Sequence, residues 1–202
     1  MCIILYFALL IIAIFIFWLY FSRIPFRETV SDDVILSPAN GKIIAIESID
    51  TEWVSFFKDG IRNELEIHDI TLPAYVIVIQ MNLKNVHVQR APIAGEIIQI
   101  KHFNGKFKNA LYSKQKTHLV NANEKNLTVI KGENETIAVV QVAGQLARRI
   151  RSYVKTGNTV SVGEKIGFIN FGSQVVLVIP QKRILQIQVG DIVTDGKTVI
   201  AQ

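Results

Sequence analysis

The residues of this chain that could do unusual chemistry are a glycine and a serine inside an apolar strand. The segment GEKIGFINFGSQVVLVIP, residues 163–180, is interrupted at Gly172 and Ser173 and then resumes. Glycine weakens a strand, so its presence there needs a reason. One reason is a β-bulge followed by an ordinary serine. The other is chemical: glycine tolerates strained backbone geometry and leaves its carbonyl open, so the Ser173 hydroxyl could attack the Gly172 carbonyl.

Other familiar catalytic patterns are missing from the sequence. It contains no phosphate-binding glycine loop, no His-Glu-x-x-His and no Gly-x-Ser-x-Gly. The four histidines (His68, His87, His102 and His118) lack metal-ligand spacing, and the single Cys2 excludes a disulfide framework or a cysteine-built metal site. The net charge of +5 suits a domain resting on anionic lipid, but many soluble proteins carry as much.

The elements that must position this glycine and serine are predicted to be strands. Several stretches rich in Val and Ile tend to alternate and are separated by Gly and Asn turns. They are LSPANGKIIAIESI, AYVIVIQM, HVQRAPIAGEIIQI, LTVIKG, TIAVVQVAG, GEKIGFINFGSQVVLVI and KTVIAQ. Only residues 145–150 hint at a short helical turn. We therefore predict a mainly β fold, α+β at most: a compact multi-stranded β domain with few short helices.

One pattern occurs twice in the predicted strands. Residues 37–46 (SPANGKIIAI) and 91–100 (APIAGEIIQI) share P-x-x-G-x-I-I-x-I. Proline cannot donate to a β-ladder and glycine permits a positive φ, so each copy is predicted to be a turn that begins a strand. The repeat marks two similar strand starts, which could lie side by side.

The N-terminal segment is predicted to cross a membrane. Residues 2–22 contain no charged side chain, and a helix of this length spans roughly the 30 Å of a bilayer core. Trp18 and Tyr20 lie near one end, where aromatic rings favour the interface. The segment lacks the basic start and small-residue cleavage site of a signal peptide, and a buried helix seldom runs this long without a polar residue.

The flanking charges predict the orientation of this anchor and the domain organisation. Arg23 and Arg27 follow the apolar run, so the positive-inside rule keeps residues 23–202 on the cytoplasmic side of the cell membrane. We assign residues 1–22 to the transmembrane anchor, 23–36 to a juxtamembrane connector and 37–202 to the β domain.

Five collinear motifs resemble those of the short-form phosphatidylserine decarboxylases, including their archaeal relatives. The stretch from Ala138 to Pro180 is similar throughout, and SRIPFRE echoes the family's juxtamembrane segment. The upstream matches are SPANGKI (37–43), NVHVQRAPIAGEI (85–97) and HFNGKFKNA (102–110) followed by NANEKN (121–126). The resemblance covers nearly everything after the anchor.

The resemblance implies a proenzyme that cleaves itself between Gly172 and Ser173. The products would be a β chain, residues 1–172, and an α chain, 173–202, which remain associated. Ser173 would become a pyruvoyl group that forms a Schiff base with the amine of a serine headgroup, so that a membrane phospholipid loses CO₂ and yields an ethanolamine headgroup. The group takes the part that pyridoxal phosphate plays elsewhere, so neither pyridoxal phosphate nor a metal is expected.

Three further residues take roles from the resemblance. His87 matches the histidine of the family's V-H-V motif and is expected to be the general acid/base of one or both reactions; without that match it reads as a half-buried strand histidine. Arg90 is expected to pair with lipid phosphate or substrate carboxylate, or else to make a structural ion pair. Asn40 stands where the family has an Asp that orients the histidine, so self-cleavage is expected to be slow, or Asp32 or Asp33 substitutes.

Two other functions remain open at this level. The paired P-x-x-G turns and the closing VGDIVTDGKTVIAQ are also typical of lipoyl and biotinyl carrier modules, although no modifiable lysine motif is present. A processing-defective decarboxylase homologue, with Asn40 as its cause, is the other. We expect no nucleic-acid partner and allow a homo-oligomer through an exposed edge strand. The sequence does not distinguish phosphatidylserine from archaetidylserine.

Overall fold

The computed structural model contains one long helix followed by a β domain. It describes residues 2–28, 33–58, 60–105, 123–144, 149–170 and 174–202. The helix α1 is Cys2–Phe21, a run of 20 residues without a charge. The strands are β1 (Ile35–Leu36), β2 (Gly41–Ile49), β3 (Trp53–Lys58), β4 (Ile61–Glu66), β5 (Ala74–Gln80), β6 (Val88–Arg90), β7 (Gly95–Phe103), β8 (Lys125–Lys131), β9 (Thr136–Val142), β10 (Ile150–Ser152), β11 (Thr159–Val160), β12 (Lys165–Ile169), β13 (Gln174–Pro180), β14 (Ile192–Val193) and β15 (Val199–Ala201).

A curled antiparallel sheet of eight strands organises the domain, in the order β11, β7, β8, β9, β13, β5, β2, β14. Strands β10, β12 and β6 form a smaller sheet, and β1 pairs with β15. Strands β3 and β4 form a separate hairpin. The mainly β prediction is confirmed.

Each face of the large sheet carries its own apolar core. On one face, Ile77 and Leu177 belong to a cluster that includes Ile166 of β12. On the other, Val140 and Val176 lie in the cluster that contains the buried side of the β3–β4 hairpin. β-Branched residues dominate because they pack well on a pleated surface that is buried on both sides.

Two details of the fold differ from the sequence-based predictions, and a third lies mostly outside the described residues. The β3–β4 hairpin was not predicted, although Gly60 at its tip has a positive φ of 74°. The two repeated segments are adjacent only at their starts, where Leu36 N–H donates to Pro92 O and Arg90 N–H donates to Pro38 O; the strands that follow, β2 and β7, are near opposite edges of the sheet. The only helix among the described residues is α1; of the predicted turn at 145–150, residues 145–148 lie outside the description and Ile150 begins β10.

Candidate functional site

His87 lies between the end of the long helix and the strand that leads toward the predicted cleavage segment. Its side chain is fully buried, and its backbone carbonyl accepts a hydrogen bond from Ile169 N–H at 3.1 Å. Ile169 ends β12, and β13 begins at Gln174. Gly172 and Ser173 themselves lie outside the described residues.

One hydrogen bond sets the tautomer of His87. Nδ1 lies 2.9 Å from the backbone oxygen of Asn85, and because a carbonyl can only accept, Nδ1 carries the proton. Nε2 therefore holds a free lone pair. It is buried and has no hydrogen-bond partner among the described residues. This nitrogen can therefore accept a hydrogen bond or a proton.

An apolar environment lowers the pKa of His87. Phe21, Val86, Val88 and Phe168 form a small buried cluster around it. Loss of hydration is the largest cause of the shift, which takes the pKa from 6.5 to about 4, and the charge of Arg23 lowers it further. At neutral pH the ring is uncharged, as a general base must be before it accepts a proton.

A chain of buried amides supports the strand of His87. Gln89 donates to the His87 carbonyl at 2.8 Å, Gln141 donates to Gln89 at 2.7 Å, and Asn126 donates to Gln141 at 3.1 Å. Gly167 allows this approach, because a Cβ there would lie 2.6 Å from Gln141 Nε2. Sequence reasoning missed these glutamines; uncharged polar residues at alternate positions of apolar strands were the available signal.

The first described residue after the predicted cleavage bond also carries an unpaired polar atom. Gln174 Oε1 is buried and has no partner among the described residues. Gln174 pairs across the sheet with Val142 of β9 and Gln80 of β5. Two orphaned polar atoms, His87 Nε2 and Gln174 Oε1, thus belong to the residues around the segment where a prosthetic group would form.

The structure places Arg90 in an ion network. Its Nε donates to Asp195 at 2.7 Å, Nη1 donates to Gly163 O at 2.9 Å and Nη2 donates to Pro25 O at 2.7 Å. Arg27 reaches the other oxygen of Asp195 at 2.8 Å. These contacts favour the structural alternative for Arg90, and lipid binding by it stays a prediction.

Asn40 also contacts Asp195. Its Oδ1 accepts the backbone N–H of Asp195 at 2.9 Å, whereas the described partner of the His87 ring is the Asn85 carbonyl. The expected orientation of His87 by residue 40 therefore has no described contact to support it, and it stays a prediction. Of the proposed substitutes, Asp32 lies outside the described residues, and the backbone oxygen of Asp33 accepts a hydrogen bond from Arg183.

A buried lysine lies at the same end of the large sheet. Lys125 pairs with Val142, which in turn pairs with Gln174. Its amine donates to Asn63 Oδ1 at 3.1 Å and Asn123 O at 3.3 Å, and burial lowers its pKa to about 8. The amine remains largely protonated at neutral pH.

One cluster among the described residues has the side chains to bind a metal, at the base of the β3–β4 hairpin. His68 Nδ1 lies 2.9 Å from Glu52, and Nε2 lies 3.5 Å from Glu66. Because the two ring nitrogens face different carboxylates, this arrangement is that of an exposed ion-pair triad. It raises the pKa of His68, mainly through the hydrogen bond to Glu52.

Helix α1 meets the length and composition of a membrane span. Its window Ile4–Phe21 has a mean hydropathy of 2.7, and 6% of it is buried against the rest of the protein. The last residue, Phe21, is the exception, since its ring lies 4.2 Å from the ring of His87. The site and the apolar helix are therefore adjacent.

Comparison with known proteins identifies the family of this chain. The family model described as phosphatidylserine decarboxylase matches residues 14–201. A Methanocaldococcus jannaschii protein named as an archaetidylserine decarboxylase proenzyme is 37% identical over 97% of this chain and 94% of its own length. A phosphatidylserine decarboxylase proenzyme of Desulfotalea psychrophila is 39% identical over 92% of this chain and 79% of its own length. The chain therefore belongs to the phosphatidylserine decarboxylase family.

Proposed function

We propose that this chain is a decarboxylase proenzyme that cleaves itself between Gly172 and Ser173 and then decarboxylates a phospholipid with a serine headgroup. The observation that carries the proposal is the state of His87: a neutral, buried imidazole whose Nε2 lone pair has no described partner. Such a nitrogen is available to take a proton from a hydroxyl group. The family membership supplies the reaction class.

The proposed self-cleavage begins when Ser173 Oγ attacks the Gly172 carbonyl carbon. His87 Nε2 accepts the hydroxyl proton, and the amide is exchanged for an ester as the nitrogen of residue 173 leaves as an amine. Elimination then transfers the Cα proton of residue 173 to a base and breaks its Cβ–O bond, which releases the Gly172 carboxylate and leaves dehydroalanine at position 173. Addition of water then releases ammonia and leaves the pyruvoyl group at the start of an α chain, 173–202.

The two product chains would stay together through the sheet. Strand β13 (Gln174–Pro180) belongs to the proposed α chain and lies between β5 and β9, which belong to the β chain, 1–172. Its seven residues are buried, so separation would expose an apolar core strand on both faces. A homo-oligomer stays a prediction.

In the second reaction the pyruvoyl group supplies a ketone that takes up the substrate amine and withdraws electrons as CO₂ leaves. The residues fit such a group, because His87 Nε2 and Gln174 Oε1 are buried polar atoms without partners in the described part of the chain. Because its pKa is low, His87 carries no proton on Nε2 at neutral pH and cannot act as an acid until it has taken one up. We assign it the transfer of a proton from the substrate ammonium to the carbon that loses CO₂.

The proposal also locates the domain. Helix α1 would anchor residues 23–202 on the cytoplasmic side, because Arg23 lies two residues after its end. Cys2 is the only cysteine of the chain, so a membrane-impermeant maleimide applied to intact cells tests the orientation. Labelling without lysis is expected; labelling only after lysis would reverse the orientation.

The intact mass of the purified protein tests self-cleavage. We expect two chains, one beginning at residue 173 and gaining mass when borohydride is added with an amine substrate. Ser173→Ala should remain one chain, and His87→Gln should process about 10²–10⁴-fold more slowly, the usual contribution of a general base. His102→Gln, a matched change at an exposed histidine, should process normally. A single intact wild-type chain would instead support the processing-defective homologue.

The pH dependence of self-cleavage is a second test of the role of His87. Because burial lowers its pKa to about 4, self-cleavage should be independent of the His87 charge from pH 8 to about 5 and decline only toward pH 4. The unfolded chain takes up the proton near pH 6.5, before the folded one does, so His87 also lowers the free energy of unfolding by about 3 kcal/mol between pH 6.5 and 4. A processing midpoint near 6.5 would contradict the assignment.

A further inference from the structure

The last turn of the apolar helix lies on the candidate catalytic histidine. Phe21 is 4% exposed, whereas the preceding residue, Tyr20, is 47% exposed. The Phe21 ring lies 4.2 Å from His87 at an interplanar angle of 38°, and 6.0 Å from Phe168 in an edge-to-face arrangement. The helix end is therefore one wall of the site, and it excludes water from the imidazole.

The same turn also binds the loop that precedes the histidine strand. Tyr20 Oη donates to the Lys84 carbonyl at 3.2 Å, and Arg23 Nη2 donates to the same oxygen at 2.6 Å. Arg23 Nη1 also donates to the Tyr20 carbonyl at 2.6 Å, and the Arg23 guanidinium carbon lies 3.8 Å from the centre of the Tyr20 ring. Hydrogen bonds from a charged donor are about twice as strong as neutral ones.

The loop transmits this contact to His87. Asn85 Oδ1 accepts the Asn82 N–H at 2.7 Å, Asn82 Oδ1 accepts the Lys84 N–H at 2.9 Å, and the Asn85 N–H returns to Asn82 O at 3.0 Å. This closed turn fixes the direction of the Asn85 carbonyl, which holds Nδ1 of His87 at 2.9 Å. A continuous path thus runs from Arg23 to the ring.

We propose that the end of the membrane helix is part of the active site, with Phe21 and Arg23 acting as positioning residues for His87. The inference rests on the proposed role of His87 in self-cleavage. Phe21 keeps the ring dry and in place, and Arg23 holds the turn that sets its tautomer. The consequence is that self-cleavage depends on correct docking of the anchor, so a chain whose helix is not seated processes slowly.

The test uses the full-length protein in lipid nanodiscs. Phe21→Ala is compared with Phe7→Ala, a matched deletion of an exposed ring on the same helix. We expect Phe21→Ala to process at least tenfold more slowly and to move the midpoint of the processing pH profile upward from about 4, toward that of a hydrated imidazole. Phe7→Ala should match the wild type in both. Equal rates and pH profiles for the two variants would overturn the proposal.

A readout independent of cleavage separates this inference from the proposed function. In a Ser173→Ala background, NMR titration of His87 reports its pKa whether or not the protein ever processes. An upward shift caused by Phe21→Ala supports the positioning role even if the wild type proves unable to cleave itself. No shift in a wild type that does cleave would leave the proposed function intact and refute the role of Phe21.

Arg23→Gln provides a variant that leaves the buried cluster unchanged. It removes the charged donor to the Lys84 carbonyl, and we expect severalfold slower processing with unchanged membrane association. Arg151→Gln, at an exposed arginine of β10, is its control and should process normally. If Arg23→Gln processes like Arg151→Gln, the path through the loop carries no positioning effect.

Discussion

Two halves of the β domain share one backbone plan and differ in polarity. The sheet order β14, β2, β5, β13 in one half repeats as β11, β7, β8, β9 in the other, so the halves meet between β13 and β9. The repeated strand starts at 37–46 and 91–100 occupy equivalent positions. A second repeat follows from the structure: residues 187–199 (IQVGDIVTDGKTV) correspond to 154–166 (VKTGNTVSVGEKI).

Hydrogen bonds confirm the equivalence. Gly190 N–H donates to Ile43 O at 2.9 Å, and Gly157 N–H donates to Ile97 O at 2.8 Å. The segments just before the two repeated strand starts cross each other in the same way: Leu36 N–H donates to Pro92 O, and at the equivalent position Arg90 N–H donates to Pro38 O. The backbone plan therefore does not depend on the side chains that differ between the halves.

The side chains at equivalent positions separate the two halves. Asn40, Asp195 and Arg90 in one network correspond to Ala94, Val162 and Leu36. In one half these positions make a buried ion network, and in the other they are apolar, with Leu36 and Val162 buried and Ala94 exposed. Arg90 lies three residues after His87, so the ion network, and not its apolar equivalent, adjoins the candidate site. The comparison teaches that the fold supplies two similar crossings and that only the one next to His87 carries the ion network.

The largest effect is expected when Asp195 is replaced by valine, the residue at the equivalent position, Val162, of the other half. Asp195→Val leaves the buried guanidinium of Arg90 and the half-buried one of Arg27 without their carboxylate, and removing one partner of a buried pair destabilises by about 3–5 kcal/mol. Urea unfolding measures this. Adding Arg90→Leu should recover part of the loss, since it completes the apolar arrangement. Asp50→Val, at an exposed turn, is the control, and a loss as small as that control's would mean that the network does not stabilise the fold.

The sequence alone predicted the secondary-structure elements better than the tertiary contacts between them. The 2–22 span matches α1 (Cys2–Phe21), and the Val- and Ile-rich runs match the long strands. The contact of Phe21 with His87 could not be predicted, because it joins residues 66 positions apart through tertiary packing. Asp195 was missed because nothing local marks it. The 154–166 and 187–199 repeat was readable and would have shown Asp195 as a charge where the other copy has Val162.

A second, smaller effect tests whether the two strand starts are equivalent in packing. A Cβ on Gly41 would lie 2.8 Å from Ile79 Cγ2 and closer still to the Gln80 carbonyl; on Gly95 it would lie 2.8 Å from the Lys131 carbonyl carbon. Gly41→Ala and Gly95→Ala should each destabilise by roughly 1–3 kcal/mol, the range for overpacking. Thermal unfolding of the two variants measures the costs. A large loss at one position with none at the other would break the equivalence.

The smallest effect concerns the turns before β11 and β14. Gly157 and Gly190 have φ values of 88° and 106°, and a Cβ at either would meet nothing within 4 Å, so only the left-handed backbone opposes a side chain. Gly157→Ala and Gly190→Ala should each cost about 1 kcal/mol in the free energy of unfolding, and somewhat more at Gly190, whose φ is farther from the left-handed helical region. Because each turn bonds only its own half through Ile97 or Ile43, the double variant should lose the sum of the two costs. A loss well above that sum in urea unfolding would show that the halves are coupled across the β9–β13 junction, and the two crossings would then have to be treated as one unit.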